Sequence, residues 1–358
     1  MDMAEAVRSA GAESVREDPE EAWAKVEIWR YVFGFVEMAA VKCVIELGIP
    51  DVLEARGEPV ALEDLASATG SDPRLLSRVM RFLINRRIFE ARATGYVQTP
   101  LSRLLMSHGG GSMAGFVLME SSPVMLAPWQ HLGRYLKGEV SSSFTGANSV
   151  DVWSYAAVHP EHRDLISLAM ACDARIVVPG VIRECLDVFE GVKSVVDVGG
   201  ADGTSLGVLV KACPWIRGIN FDLPHVASTG LKIDNVEHVG GDMFLHVPEA
   251  DAAFIMWVLH DWGDDECVKI LTNCRQAVPS RGGKVIILES VLDKETDYGE
   301  DKRKDTGLML DMCMLAHTDH GKERTLAEWK LVLDRSGFAS HTVKPIPGVV
   351  QSAIIAYP

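Results

Sequence analysis

Between residues 190 and 292 the periodicity of the chain changes, and that change restricts the fold more than any other feature. KSVVDVGG (193–200) is a short β-branched run ending in glycines, TSLGVLVKAC is helical, and RGINFD, VEHVGGD, DAAFIMWV and GGKVIILE follow as strands, with helical segments such as DDECVKILTNCRQAV between some of them. Alternating strand and helix predicts an α/β fold built on a doubly wound, mainly parallel sheet. In such sheets ligands sit beyond the carboxyl ends of the strands, and the chemically suggestive segments of this chain fall there.

Upstream the pattern is helical from about residue 22. Residues 60–100 read as a helix around ALEDLASATG, a second over SDPRLLSRVMRFLINRRIF with Ser71 or Asp72 as N-cap, and a short hairpin in EARATGYVQTP. That order is winged-helix-like, and Arg74, Arg78, Arg81, Arg86 and Arg87 make the second helix locally basic, which raises DNA contact as a reading. Against it stand a formal net charge of −15 and the LL, VM, FLI and IF spacing of the same segment, which fits a packed interface. HGGGSMAGFVL (108–118) forms a glycine-rich connector into a further helical region. There Met113, Phe116, Met119, Met125, Trp129 and Met170 are either ordinary core or the lining of a pocket for a planar ligand. The 358 residues thus divide into a polar tail (1–18), a winged-helix-like unit (19–110), a helical connector (111–185) and the sheet domain (186–358).

The acidic balance opposes binding to nucleic acid and to anionic membranes. Tyr31 to Ile49, the most apolar long stretch by eye, is interrupted by Glu37, Lys42 and Glu46, so it reads as an amphipathic buried helix and not a membrane span. The first 22 residues lack the basic flank and apolar run of a secretory signal. Seven scattered cysteines without a CxxC pair indicate neither a disulfide framework nor a zinc cluster, and the expected compartment is the reducing cytoplasm.

Asp197-Val198-Gly199-Gly200-Ala201-Asp202-Gly203 joins the first strand of the sheet to its helix. The nicotinamide pattern GxGxxG fails from either glycine, because Ala201, Thr204 or Asp202 stands where a glycine is required. The looser acidic-x-Gly-x-Gly-x-Gly pattern of S-adenosylmethionine sites fits, with Ala201 in place of the middle glycine. Asp222 ends the second strand 19 residues after Gly203, where a carboxylate accepts hydrogen bonds from ribose hydroxyls. Asp242 and Met243 follow the third strand and suit an adenine, carboxylate to its polar edge and thioether to its face. His260, in Trp257-Val258-Leu259-His260-Asp261-Trp262 at the end of the fourth strand, is a candidate general base, since an imidazole with a pKa of about 6.5 can take protons near neutrality. Glu289 closes the fifth strand and Glu323 lies in HGKERTLAEW; each is either a solvated or capping carboxylate or, if the two converge on His260, an orienting partner for the imidazole. His317-Thr318-Asp319-His320 lacks a third anchored ligand and reads as a surface loop, so no metal is expected.

VDVGGADG, FDLPHV, GDMF, LHDW, GGKVIILE, GKERT and the terminal VVQSAIIAYP together resemble the plant small-molecule O-methyltransferases that use S-adenosylmethionine, over nearly the whole chain. Within that group YVFGFVEMAAVKC, APWQHL, LDMCML and VQSAIIAYP are similar to the benzylisoquinoline alkaloid enzymes of the norcoclaurine 6-O-methyltransferase type. The resemblance implies a Rossmann-like class I methyltransferase domain behind a mainly helical N-terminal winged-helix-like dimerisation domain, a homodimer in which the partner helps close each site, S-adenosyl-L-methionine as cofactor with S-adenosyl-L-homocysteine as product, and a phenolic acceptor. It implies that Gly199, Asp222, Leu223, Asp242 and Met243 hold the cofactor, with Met256 and Trp262 beside it. It further implies that His260 is the base, steered by Glu289 and Glu323, and that Met170, Asp311 and Trp257 line the acceptor pocket. A protonated alkaloid amine would find a carboxylate in Asp173 or Asp311, whereas a flavonoid, phenylpropanoid or N-acylated indole needs none.

Two positions depart from the family pattern. Met256 stands where many relatives carry a Lys that contacts the cofactor, and Leu168 where norcoclaurine enzymes carry a Glu two residues before the Met of the AM segment.

Overall fold

β3 (Ser194–Val198) is buried along nearly its whole length, as a strand covered on both faces must be, and the rest of the architecture is laid out around it. The structure is a computed structural model that describes residues 18–292 and 302–358. The expected polar tail lies outside the described residues except for Asp18, whose carboxylate accepts from Glu20 N at 3.0 Å and caps the helix Pro19–Val32.

The main sheet runs in the order β5-β4-β3-β6-β7-β10-β9, where β4 is Arg217–Asp222, β5 Val236–Gly240, β6 Ala252–Met256, β7 Lys284–Leu292, β9 Ser340–Pro345 and β10 Gln351–Tyr357. β8 (Arg324–Thr325) adds a short parallel pairing to β7 outside that path. β3 to β7 are mutually parallel, with Asp197 in register with Asn220 on one side and Phe254 on the other. The chain order reverses between β3 and β6, so the crevice above that pair is the topological switch point. All five strands expected from the sequence are present. The antiparallel pair β9 and β10 is additional, and β10 is inserted between β7 and β9.

One face of the sheet is covered by the helices Asp264–Ala277 and Leu326–Arg335, which bury Ile270, Leu271, Trp329 and Leu333 against it. The other is covered by Thr204–Ala212 and by the second half of the 26-residue helix Pro160–Cys185, through Ala174, Val177, Val178 and Val181. The first half of that helix packs elsewhere: Ala169 joins Met119, Met125 and Phe144 in a separate cluster. At Gly115 an added Cβ would stand 2.7 Å from Leu168 Cγ, so the glycine permits the helix Ala114–Glu120 to lie close against the long helix. The segment Pro160–Phe189 is long and apolar enough to cross a membrane, yet half of its most apolar window is buried inside the protein. It serves as a core helix spanning two packing layers.

At the N-terminal end, the helices Leu62–Thr69 and Pro73–Asn85 and the hairpin β1 (Phe89–Arg92) to β2 (Gly95–Gln98) occupy the expected positions. Asp72, not Ser71, is the N-cap, accepting from Arg74 N at 2.8 Å. They share a core of Leu65, Leu76, Met80, Leu83 and Phe89 with Val44, Ile45 and Ile49. The expectation of a buried Tyr31–Ile49 helix holds only for its second half. The helix Pro19–Val32 buries no residue, and Trp23, Val26, Trp29, Tyr31, Phe33 and Phe35 are all exposed.

Candidate active site

The turn after β3 is built for close approach to its backbone. Gly199 has φ +73, and an added Cβ there would lie 2.7 Å from Val258 Cγ2. Ala201, standing where the family pattern has a glycine, holds φ +47, a left-handed conformation that costs an L-residue free energy. Hydrogen bonds hold it there. Ala201 N donates to Asp222 Oδ2 at 2.9 Å, and Asn220 Nδ2 donates to Ala201 O at 2.9 Å. Asp222 Oδ1 accepts from Leu223 N at 2.7 Å, so each oxygen keeps a lone pair for a further donor such as a ribose hydroxyl. Burial raises the Asp222 carboxyl and the two backbone donors lower it again, with a net upward shift.

Asp197 Oδ2 is buried without a partner. Burial, with Asp222 and Asp202 nearby, pushes this carboxyl up to about 8, the state of an acid that lacks the donor or cation its position calls for. Asp242 Oδ1 accepts from Phe244 N at 2.8 Å, Leu223 is exposed, and Trp262 meets Phe244 edge to face at 4.8 Å beside the half-buried Met243. A glycine cradle, a ribose-competent carboxylate and an orphaned buried acid fit an adenosyl cofactor. Met256, at the position of the family's Lys, is buried in the sheet core with Ser205 Oγ 3.9 Å from its sulfur.

Across the crevice, His260 is buried and its Nδ1 lies 2.8 Å from Glu323 Oε1 and 3.7 Å from Glu289 Oε2. The convergence left open by the sequence is therefore present, with an unequal division of labour. Glu323 makes the hydrogen bond, so Nδ1 carries the proton it donates and Nε2 keeps the free lone pair, 3.7 Å from Asp261 Oδ1. Glu289 Oε1 accepts from Val258 N at 3.0 Å and Leu259 N at 2.8 Å, and so positions the loop as well as the ring electrostatically. Burial pulls the imidazole pKa down, but Glu289, Asp261 and Glu323 together overcome it and push it up to about 10. These groups exchange protons as a unit. His260, Glu289 and Glu323 offer ligand atoms within 4.8 Å of one another, the one such group found among the described residues, but the Nδ1 proton already serves Glu323.

Arg324 was not singled out by the sequence reading, although it follows Glu323 directly. It is fully buried, donates to Leu259 O at 3.0 Å and Trp262 O at 2.8 Å, and pairs with Asp264 at 2.9 Å. Lys322 N adds a bond to His260 O at 2.8 Å. The loop that carries the imidazole is thus tied at both ends by the segment that carries Glu323.

On the acceptor side, Trp257 stacks on His260 with centroids 4.7 Å apart and planes 30° from parallel, and Met170 is half-buried between two clusters. Of the two expected amine partners, Asp173 is doubly engaged, while Asp311 is only half-buried and spends one oxygen on a backbone donor. Asp173 is buried, with Oδ2 accepting from Trp257 Nε1 at 2.5 Å and Gln351 Nε2 at 2.7 Å, and Asp311 Oδ1 accepts from Glu323 N at 3.0 Å. Leu168, the other departure from the family, packs against Gly115 and lies about 200° around the helix from Met170. His317 and Thr318 correct the expectation of a surface loop. Both are buried, and His317 Nε2 donates to Met125 O at 3.0 Å while its ring meets Trp129 edge to face. Burial drives the His317 pKa down to about 4 and that of neighbouring Glu120, 3.9 Å away, up to about 7; buried His162 leaves Nε2 without a partner. The sequence reading passed over Glu120 and His162, polar residues on largely apolar helices.

Residues 129–339 match the O-methyltransferase domain family and residues 29–108 the O-methyltransferase dimerisation domain family. The chain is 50% identical to an acetylserotonin O-methyltransferase of Arabidopsis thaliana, over 94% of this chain and 93% of that protein. It is 40% identical to an (R,S)-reticuline 7-O-methyltransferase of Papaver somniferum, over 90% and 94%. The fold matches that of human N-acetylserotonin methyltransferase in complex with S-adenosylmethionine, with a TM-score of 0.81 at 21% identity over 96% and 99% of the two chains.

Replacing Arg324 by Leu removes its charge-assisted bonds to the Leu259 and Trp262 carbonyls and its pair with Asp264, and is expected to destabilise the sheet domain by on the order of 3 kcal/mol. Urea denaturation should show this as a lowered midpoint, and an unchanged midpoint would contradict the clamp.

Proposed function

The chain belongs to the S-adenosylmethionine-dependent O-methyltransferases, and from that premise we propose that it methylates a phenolic hydroxyl with His260 as general base, on a neutral acceptor of the N-acylated hydroxyindole type. The observation that carries the base assignment is the 2.8 Å bond from His260 Nδ1 to Glu323, which leaves Nε2 as the basic nitrogen. The cofactor, when bound, supplies an activated methyl group on a sulfonium cation, and positive charge nearby favours the neutral imidazole.

Unperturbed, the imidazole would lie about 3.5 pKa units below a phenol, an uphill transfer of roughly 5 kcal/mol. The carboxylates around His260 raise its proton affinity toward that of a phenol and narrow the gap. His260 thus takes the proton as the acceptor oxygen reacts, and Glu323 and Glu289 stabilise the imidazolium. Gly199, Asp222, Leu223, Asp242, Met243 and Trp262 hold the nucleoside in this reading, and Met256 fills space beneath it.

The acceptor class rests partly on Asp173. Its Oδ2 already accepts from Trp257 and Gln351 inside the protein, which favours an acceptor that brings no cation to that carboxylate. The 50% identity to a protein named for acetylserotonin supports this. A second reading, a benzylisoquinoline alkaloid, is supported by the alkaloid-type segments and the reticuline-named relative at 40%. Mass spectrometry of products from a mixed panel with S-adenosylmethionine decides between them. Methylation of N-acetylated hydroxyindole supports the first reading, and products confined to benzylisoquinolines overturn it.

His260→Ala and His260→Gln should abolish turnover with cofactor affinity by calorimetry largely kept, and full activity in either would remove the base assignment. Asp222→Ala should instead raise the cofactor Kd by at least about tenfold, the loss of a charge-assisted hydrogen bond.

Because activity needs the unprotonated base, kcat/KM should rise with pH along an acid limb. Glu323→Gln removes a charge that raises the His260 pKa, so that limb should move to lower pH while kcat falls; a limb that stays in place would contradict the arrangement.

We infer a homodimer joined through the helix Pro19–Val32, whose Trp23 and Tyr31 are 64% and 77% exposed. Seven free thiols support a cytoplasmic location. Sedimentation should give twice the chain mass of 39.1 kDa, and Trp29→Glu should shift it toward the monomer.

A further inference from the structure

Trp257 is held in a conformation that a bulky side chain rarely adopts. Its φ is +55, and its indole is buried with the N–H directed at Asp173. Three distant parts of the chain meet at this ring. Asp173 lies on the helix Pro160–Cys185, Trp257 follows β6, and Gln351 opens β10. Asp173 Oδ2 accepts from Trp257 Nε1 at 2.5 Å and from Gln351 Nε2 at 2.7 Å. The face of the indole stacks on His260 at 4.7 Å.

We propose that Asp173, seconded by Gln351, is a positioning residue for the catalytic imidazole: it fixes the plane of Trp257, and that plane sets where His260 stands. The proposal rests on His260 being the base.

Two observations favour this over a plain interior hydrogen bond. A buried carboxylate with no cation beside it is a costly acceptor for an indole N–H, since an amide would accept the same bond without desolvating a charge. Burial indeed pushes the Asp173 carboxyl up to about 6, against the pull of its two donors. What the charge adds is a stronger, shorter bond and a more electron-rich indole face. That face lies against the imidazole, which becomes a cation on taking the phenolic proton, and a cation over an indole is attracted by its ring quadrupole. The same contact therefore holds the ring and favours the protonated state formed in the reaction.

The conservative variant has a way to recover. Trp257 Nε1 and Gln351 Nε2 both donate to the one oxygen Oδ2, so in Asp173→Asn the amide oxygen can stand in that place and accept both bonds without a charge.

The test compares Asp173→Leu, Asp173→Asn and Gln351→Leu with the wild type, each also in a Trp257→Phe background, under saturating S-adenosylmethionine with the best acceptor of the panel. Asp173→Leu should lower kcat by roughly a hundredfold, the scale of a misplaced catalytic group, with the cofactor Kd within about twofold. Asp173→Asn should recover most of that loss. In the Trp257→Phe background, which keeps a ring face but has no N–H to hold, the Asp173 substitutions should have little further effect. A lowered melting temperature with wild-type kcat in the folded fraction, or equal losses with and without the Trp257 N–H, overturns the proposal. If Asp173→Leu does not fold, Gln351→Leu and the Asn variant decide on the same readouts. His260→Gln is run in parallel: activity retained there defeats the base assignment itself, whereas a dead His260→Gln beside an unimpaired Asp173→Leu defeats the positioning role alone.

Discussion

The structure depends on burying one imidazole among three carboxylates. Glu289 and Glu323 are buried, Asp261 nearly so, and an isolated carboxylate in such a place costs several kcal/mol. The fold compensates with fixed donors. Two backbone N–H groups meet Glu289, His260 itself meets Glu323, and Arg324 neutralises the region while tying down the carbonyls on either side of the ring. Because these groups come from β7, from the loop after β6 and from the segment around β8, the imidazole is in place only when the C-terminal edge of the sheet is complete. Local stability and chemistry are here the same set of contacts.

At the glycine turn the backbone carries strain as well. There Asp197 remains buried and unsatisfied, and Ala201 sits in left-handed backbone that its neighbours must enforce. An unsatisfied carboxylate beside a strained turn at the carboxyl end of a parallel strand fits a place that a ligand completes. The crevice between β3 and β6 is therefore pre-shaped by the protein and finished by what it binds.

The long helix Pro160–Cys185 links these sites to the rest of the chain. Its second half belongs to the core of the sheet, its first half to the helical layer that carries Met119, Met125 and Phe144, and Asp173 lies near the junction. Its apolar character, sufficient for a membrane span by composition, comes from packing on several sides at once.

Much of this was legible without coordinates. The β-branched runs ending in Gly199, Asp222, Asp242, His260 and Glu289 announced parallel strands, and in a parallel sheet every strand end arrives at the same edge, so the placement of these residues at one edge followed from topology, while the convergence of Glu289 and Glu323 on His260 did not. The glycine turn was readable from its own residues, and Asp222 from its place at the end of the neighbouring parallel strand, where it meets the turn at Ala201 N. The antiparallel β9 and β10, the role of Arg324 and the buried His317 were not, because each is defined by partners far along the chain. Asp173 makes the distinction plainest. As a residue type it was a carboxylate available to an amine, and nothing local contradicts that. Only the packing of a helix, a loop and the last strand, brought together from 178 residues apart, turned it toward an indole and a glutamine. Sequence by itself determined the fold class, the edge where chemistry occurs and the residue types present there, since short-range periodicity and backbone constraints act locally. Tertiary structure decided which carboxylate holds which ring, because hydrogen-bond partners and burial are long-range properties that no local pattern contains.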